Sequence, residues 1–216
     1  MRNTSLKIHP SAVVDEGAVI GKGTSIWHFV HICSRAVIGE NCTLGQNVLV
    51  SDNSTLGNNV KVQNNVAIYG GVAVEDDVFL GPSCVLTNIT NPRSQVSRKS
   101  IYEKTLIKRG ATIGANATIV CGITLGRYCF VGAGAVVTKN IPDYGLVLGN
   151  SGKISGYMSR HGHKLTFNES GSATCPESKL VYKKTEDQVH CLNLDEDDPL
   201  PSDLSFGSLP YDSFKR

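Results

Sequence analysis

The sequence predicts an all-β chain, a parallel β-helix of about seven coils with one extruded loop and a small C-terminal appendage. Three observations carry this reading. Every sixth residue from Ile8 to Leu86 is aliphatic: Ile8, Val14, Ile20, Ile26, Ile32, Ile38, Leu44, Val50, Leu56, Val62, Ile68, Val74, Leu80 and Leu86. The series resumes in a new phase at Ile107, Ile113, Ile119, Leu125, Val131 and Val137. A period of six fits neither an α-helix nor a plain strand, and marks a repeat. Second, small side chains stand two positions before most of these aliphatics, as at Ala12, Ala18, Thr24, Ala36, Cys42, Ser54, Ala111, Ala117, Cys129 and Ala135. Third, Gly, Asn or Asp stands three positions after them: Gly17, Gly23, Asn41, Asn47, Asn53, Asn59, Asn65, Gly71, Asp77, Gly110, Asn116, Gly122, Gly134 and Asn140.

Each element follows from that spacing. Gly and Asn tolerate φ > 0, so each of the last group is a candidate corner. A short strand and a corner every six residues make one side of a prism, and three sides close a coil of about 18 residues. Coils stacked at the ~4.8 Å strand spacing pair their backbones with the coils above and below and bury the aliphatic ladder. Each buried Ile, Val or Leu contributes about 1.5–3 kcal/mol before entropy.

The breaks in the ladder divide the chain. Residues 1–150 form the β-helix, with residues 87–106 extruded because Leu86 to Ile107 is not a multiple of six. Gly149 to Lys164 reads as a turn followed by a short helical segment. Residues 151–192 form the appendage, in which Leu180-Val181-Tyr182 makes one arm of a small hairpin. Residues 193–216, acidic and polar with Pro199, Pro201 and Pro210, have the composition of a disordered tail.

Composition excludes several classes. A length of 216 residues suits one principal domain with an appendage, and a net charge of +2 argues neither for nor against an anionic ligand. Nothing looks like a nucleic-acid-binding arm. No apolar run in residues 1–20 suggests a signal peptide or membrane span, so the expected location is cytoplasmic. Of the seven cysteines, Cys42, Cys84 and Cys129 hold the small inward position and read as core thiols in a reducing compartment.

The repeat resembles the hexapeptide-repeat transferases, as in Ile38-Gly39-Glu40-Asn41-Cys42-Thr43 and Ile113-Gly114-Ala115-Asn116-Ala117-Thr118. The resemblance covers about residues 8–150. It implies a left-handed coil, against the usual crossover hand, and a homotrimer. The loop is locally basic: Arg93, Arg98, Lys99 and Lys104 stand against one acid, Glu103, as a diphosphate partner would require. The loop string Thr87-Asn88-Ile89-Thr90-Asn91-Pro92-Arg93-Ser94-Gln95-Val96-Ser97-Arg98-Lys99 resembles bacterial nucleotide-sugar 3-N-acetyltransferases. The resemblance is greatest to the UDP-2-acetamido-3-amino-2,3-dideoxy-glucuronate N-acetyltransferases of surface-polysaccharide pathways such as O-antigen biosynthesis. Trp27-His28-Phe29, Lys108-Arg109-Gly110-Ala111 and the stretch from Gly114 to Gly122 match the same group.

That resemblance implies acetyl-CoA as co-substrate, a UDP-linked amino sugar as acceptor and no metal. It implies that Asn88 orients the reacting amine. It also places Asn91, Arg93, Ser94, Arg98, Trp27 and His28 at the sugar nucleotide. Gly114, Ala115, Gly132, Ala133 and Gly134 would line the pantetheine groove, with Lys139 and Lys153 toward the CoA phosphates. The family's Gly-Asn-Pro-Ala after the last coil is here Gly149-Asn150-Ser151-Gly152, and loss of the proline is expected to loosen that turn. A dTDP-linked 3-amino or 4-amino sugar is the alternative acceptor, and a non-catalytic scaffold the alternative class. A scaffold needs neither the loop signature nor the glycine-lined last coils.

Two further readings rest on geometry. Val13, His31, Leu49, Ala67 and Val85 recur every 18 residues on one outward face and, His31 apart, are apolar, which marks a subunit interface. An O-acetyltransferase needs a positioned base for a hydroxyl, whereas a neutral amine is already a nucleophile. His28 and His31 are the only histidines between residues 10 and 160, so the chain suits N-transfer, with His31 the alternative base. Metal sites are disfavoured: the chain lacks the three middle-coil histidines of the β-helix carbonic anhydrases, and His163, Cys175, His190 and Cys191 include no Cys-x-x-Cys pair.

Overall fold

A computed structural model of the chain describes residues 5–186 and 188–204. Short parallel strands stack into three sheets, the sides of a β-helix. One side runs from Lys7–Ile8 through Ser25–Ile26, Thr43–Leu44, Lys61–Val62, Phe79–Leu80, Thr112–Ile113 and Phe130–Val131 to Gly145–Leu148. The second begins at Val13–Val14 and ends at Val136–Val137; the third begins at Val19–Ile20 and ends at Thr124–Leu125. Registers such as Ile8↔Ile26 and Val19↔Val37 hold the 18-residue coil. At the loop the register becomes Val85↔Thr118, so that coil is longer by the extruded segment. A bridge from Leu125 to Ile141 closes the seventh coil, and Gly145–Leu148 begins an eighth.

The corners lie where the spacing puts them. Asn41, Asn47, Asn53, Asn59, Asn65, Asp77 and Asn116 all have φ between 54° and 62°, and Gly17, Gly23, Gly71, Gly110, Gly122 and Gly134 are also positive. The same conformation recurs at Phe29, Ser83 and Tyr128, which composition did not mark. Asn140 is not among the positive-φ residues; its side chain instead accepts a hydrogen bond from the Thr124 amide at 2.8 Å. Corner side chains are bonded from coil to coil, Asn47 to Asn65 at 3.1 Å and Asn59 to Asp77 at 2.8 Å. Stacking thus satisfies polar groups at the edges as well as along the strands.

The ladder is buried from Ile26 onward, and Thr24, Cys42, Ser54, Cys84, Ala111, Ala117, Cys129 and Ala135 fill the space beside it. Burial pushes the Cys84 thiol up to about 12, as suits an inert core thiol, and all seven cysteines are free. The first coil departs from the expected ladder. Ile8 is 44% and Val14 36% exposed, because an end coil has a neighbour on one side only.

The other end is covered. Lys153–Tyr157 is a strand, not the expected helical segment, and it adds antiparallel to Gly145–Leu148. The expected hairpin is a three-stranded antiparallel sheet of Ser172–Thr174, Val181–Lys184 and Val189–Cys191. Leu165, Cys175, Leu180 and Tyr182 of this appendage form a second core with Tyr128 and Tyr144 of the last coils. The acidic stretch expected to be disordered is docked as far as Leu204. Tyr144 donates to the Glu196 carboxylate, Arg127 meets Asp197 at 3.0 Å, and Arg160 bonds the Asp195 carbonyl at 2.9 Å. Residues 205–216 of that stretch lie outside the described residues.

Candidate active site

The loop between Val85–Leu86 and Thr105–Ile107 is held at both ends. Thr87 Oγ1 accepts the Cys121 amide at 2.9 Å, and the Glu103 amide donates to the Asn88 carbonyl at 3.0 Å. Glu103 accepts from the Thr90 amide at 2.9 Å and from the Thr90 hydroxyl. Further out, Arg98 Nε donates to the Asn91 carbonyl at 3.0 Å, and the Val96 amide to the Arg93 carbonyl at 3.0 Å. A 3-10 turn, Lys99–Ile101, returns the chain to the coil.

The fold of the loop makes an open hollow of about 540 Å³ lined by Asn88, Pro92, Arg93, Ser94, Arg98 and Tyr102 among others. Four of the expected site residues, Asn88, Arg93, Ser94 and Arg98, therefore line one hollow. Asn91 contributes a carbonyl that steadies Arg98 rather than a side chain to the hollow. Sequence reasoning counted Glu103 only as a charge. Its contacts make it the clasp at the loop's mouth, fixing Asn88 and Thr90 together, and its position as the lone acid in a basic loop was the available signal.

Hydrogen bonds from Thr90 hold the Glu103 carboxyl below its ordinary value of 4.5. A depressed value means the clasp contributes fully above pH 4.5 and is lost as pH falls through the lower, folded value. Exchange of the Thr90 amide should accordingly be protected at pH 6. In Glu103→Ala it should rise by about tenfold; unchanged exchange would remove the clasp from the account.

Other expected residues lie elsewhere within one chain. Trp27 and His28 line a separate groove with Gly45, Gln46, Gln63 and Asn64, and the His28 ring packs tilted against His9 with centroids 3.6 Å apart. His31 stands three rungs from Val85, about 14 Å along the axis at the usual strand spacing. Its Nε2 lies 3.1 Å from Asp15, a partner the sequence reading did not supply. Val13, His31, Leu49, Ala67 and Val85 do stack in register on one side, continued by Thr118 and Val136.

The glycines of the last coils answer first to stacking. A Cβ on Gly114 would sit 2.5 Å from the Ala133 amide nitrogen, and one on Gly132 would sit 2.5 Å from Leu148 Cδ2. Ala133 and Gly134 are exposed, and nothing lies within 4 Å of a Cβ on Gly134. That leaves an open edge beside Ala115, with Lys139 and Lys153 exposed around the last coils. The turn expected to be loose is instead fastened, since the Gly152 amide donates to Val136 at 2.7 Å and the Val136 amide to Gly149 at 3.1 Å. Two half-buried carboxylates that sequence reasoning missed, Asp76 and Asp77, each bind Arg109 at 2.9 Å and tie the coils on either side of the loop.

The bacterial transferase hexapeptide (six repeats) family model matches residues 17–52, 53–88 and 104–139. The chain belongs to this family. The segments skip the extruded loop, and hexapeptide membership is consistent with the left-handed wind that periodicity alone leaves open. One hexapeptide relative is the dTDP-3-amino-3,6-dideoxy-alpha-D-galactopyranose 3-N-acetyltransferase of Aneurinibacillus thermoaerophilus. It is 49% identical over 160 residues, which are 74% of this chain and 82% of the relative. Another is the bifunctional protein GlmU of Synechococcus sp. (strain RCC307), 34% identical over 143 residues; the match spans 66% of this chain and 29% of that protein. Among solved structures, the acetyltransferase domain of PglB from Neisseria gonorrhoeae, in complex with acetyl coenzyme A, superposes with a TM-score of 0.47. Its identity is 24%, covering 70% of this chain and 58% of the other.

Proposed function

We infer that this hexapeptide protein is an acetyl-CoA-dependent N-acetyltransferase acting on the 3-amino group of a nucleoside-diphosphate-linked sugar. The observation that carries the reading is the convergence of Asn88, Arg93, Ser94 and Arg98 on one loop hollow. Two guanidinium groups suit a diphosphate, and a neutral amide suits an uncharged amine. The name of the Aneurinibacillus relative supports a dTDP-linked 3-amino-3,6-dideoxyhexose as acceptor. A UDP-linked 2-acetamido-3-amino uronic acid is the second reading. It is favoured by Lys99, which adds a third cation to the hollow's lining, more than a diphosphate alone demands.

The reaction follows from ordinary amine chemistry. Model amines have pKa values of about 7.7–8.0, so a substantial fraction is neutral near pH 7. The amine nitrogen attacks the thioester carbonyl, the carbon–sulfur bond breaks, and the departing thiolate takes the ammonium proton. The protein's part is to hold both reactants in register, with Asn88 orienting the amine. Three identical chains packed on the Val13–Val85 column would place the loop of one beside the open last-coil edge of another. Surface-polysaccharide synthesis in the cytoplasm is the setting this chemistry suits. Among the described residues no helix is long and apolar enough to cross a membrane.

Neutralising both Arg93 and Arg98 to Gln tests the hollow. The KM for the nucleotide sugar should rise by roughly tenfold to a hundredfold, the size of a lost charge-assisted contact, with the KM for acetyl-CoA little changed. Equal effects on both substrates would make the loop a structural element only.

A further inference from the structure

The appended sheet carries a cluster that acetyl transfer does not use. Two tight turns face each other there. In the first, the Ser159 amide donates to the His163 carbonyl at 2.7 Å and the Gly162 amide to the Ser159 carbonyl at 3.0 Å; Gly162 has φ of +87°. In the second, the Cys175 amide donates to Leu180 at 2.8 Å and the Lys179 amide to Cys175 at 3.1 Å. The first turn projects His161 and His163 to the same side, their rings within 9° of parallel and 5.9 Å apart. The second projects Glu177 between them.

Both imidazoles aim a ring nitrogen at the same carboxylate oxygen. His161 Nδ1 lies 3.2 Å and His163 Nε2 2.6 Å from Glu177 Oε2. The side chains are only 8%, 6% and 10% exposed. The three ligand atoms all lie within 4.8 Å of one another. A carboxylate this enclosed needs a positive charge beside it. A cation held by all three groups would supply one.

We propose that His161, His163 and Glu177 bind one divalent transition-metal ion, zinc by donor chemistry, which staples the two turns. Two neutral imidazoles, borderline nitrogen donors, with one carboxylate oxygen make a set that suits zinc, with a fourth position for water. The ligand spacing asks for little movement, since zinc–ligand distances of about 2.0–2.2 Å put neighbouring donors a little over 3 Å apart. The staple also fits its place. The appended sheet has strands of three and four residues, and its small core is completed by Tyr128 and Tyr144 of the last coils; units of that size commonly rely on a metal or a disulfide. Its cysteines are free. None of the three ligands belongs to the loop or the coils, so the site is independent of the acetyl-transfer reading.

The test uses the full chain without an affinity tag, stripped with a chelator and then titrated with zinc chloride. One zinc per chain is expected, with a dissociation constant below about a micromolar and a higher Tm on binding. Cobalt chloride in its place should give the visible bands of four-coordinate cobalt. The double variant His161→Gln/His163→Gln should bind none, while His31→Gln, in the separate Asp15–His31–Cys33 group, should bind as before. Absence of zinc uptake, uptake that survives the double variant, or uptake lost in His31→Gln would each overturn the site. Should the double variant not fold, the wild-type chain decides. Zinc must shift the ring resonances of both His161 and His163, and rings that do not shift overturn the proposal.

Discussion

Replacing Asn88 by Ala is expected to lower kcat about a hundredfold to a thousandfold, the usual loss for one oriented donor at a developing charge. Glu103 fixes the Asn88 backbone at the mouth of the loop, and Asn88 lines the hollow together with Arg93 and Arg98. Because an amide cannot take a proton, the acidic limb of the pH profile should stay where it is, following the substrate amine. His28→Asn and His31→Asn should each keep kcat within about tenfold of the parent, since a true general base contributes about 10²–10⁴-fold. His31 is the sharper of the two controls. Its contact with Asp15 is the kind that orients a base. A His31 variant that loses a thousandfold while still assembled and binding both substrates would replace proton transfer to the thiolate by histidine catalysis.

Leu49→Lys should dissociate the assembly and abolish activity. Leu49 pairs with His31 below and Ala67 above, at the centre of the apolar column. A lysine there costs little within one coil, because the position faces outward. If the column is the seam between subunits, the ammonium would be buried there without a partner, at a cost of several kcal/mol per site. Light scattering should report a monomer with an unchanged β-sheet spectrum. A monomer that still turns over would sink a site shared between chains.

The coil was legible because its physics is periodic. Ladder, small inward residue and corner recur every six positions, and nearly every Asn, Asp and Gly assigned to a corner has positive φ. Phe29, Ser83 and Tyr128 escaped because coil stacking imposes the corner whatever side chain stands there. The loop's break in phase was visible at Leu86 and Ile107, but its internal clasp was not. A bond between Thr90 and Glu103, 13 residues apart, has no local signature. The appendage was least legible. Its strands are short, and what holds them is non-local: Tyr144 to Glu196, Arg160 over Tyr128, and the paired turns at His163 and Glu177. The acidic tail read as disordered on composition, yet its carboxylates and carbonyls meet Arg127 and Arg160 from distant segments.

Release of CoA thiol from acetyl-CoA, measured with matched nucleotide sugars that carry either an amine or a hydroxyl at C-3, tests the central claim most directly. The panel pairs dTDP-3-amino-3,6-dideoxyhexoses and UDP-3-amino uronates with their 3-hydroxy counterparts, and mass spectrometry locates the added acetyl. The account predicts rapid thiol release with a 3-amino sugar, one acetyl on nitrogen, and no release above background with the hydroxyl sugars. Acetylation of a hydroxyl sugar at a comparable rate, or no turnover with any amine in the panel, would contradict it.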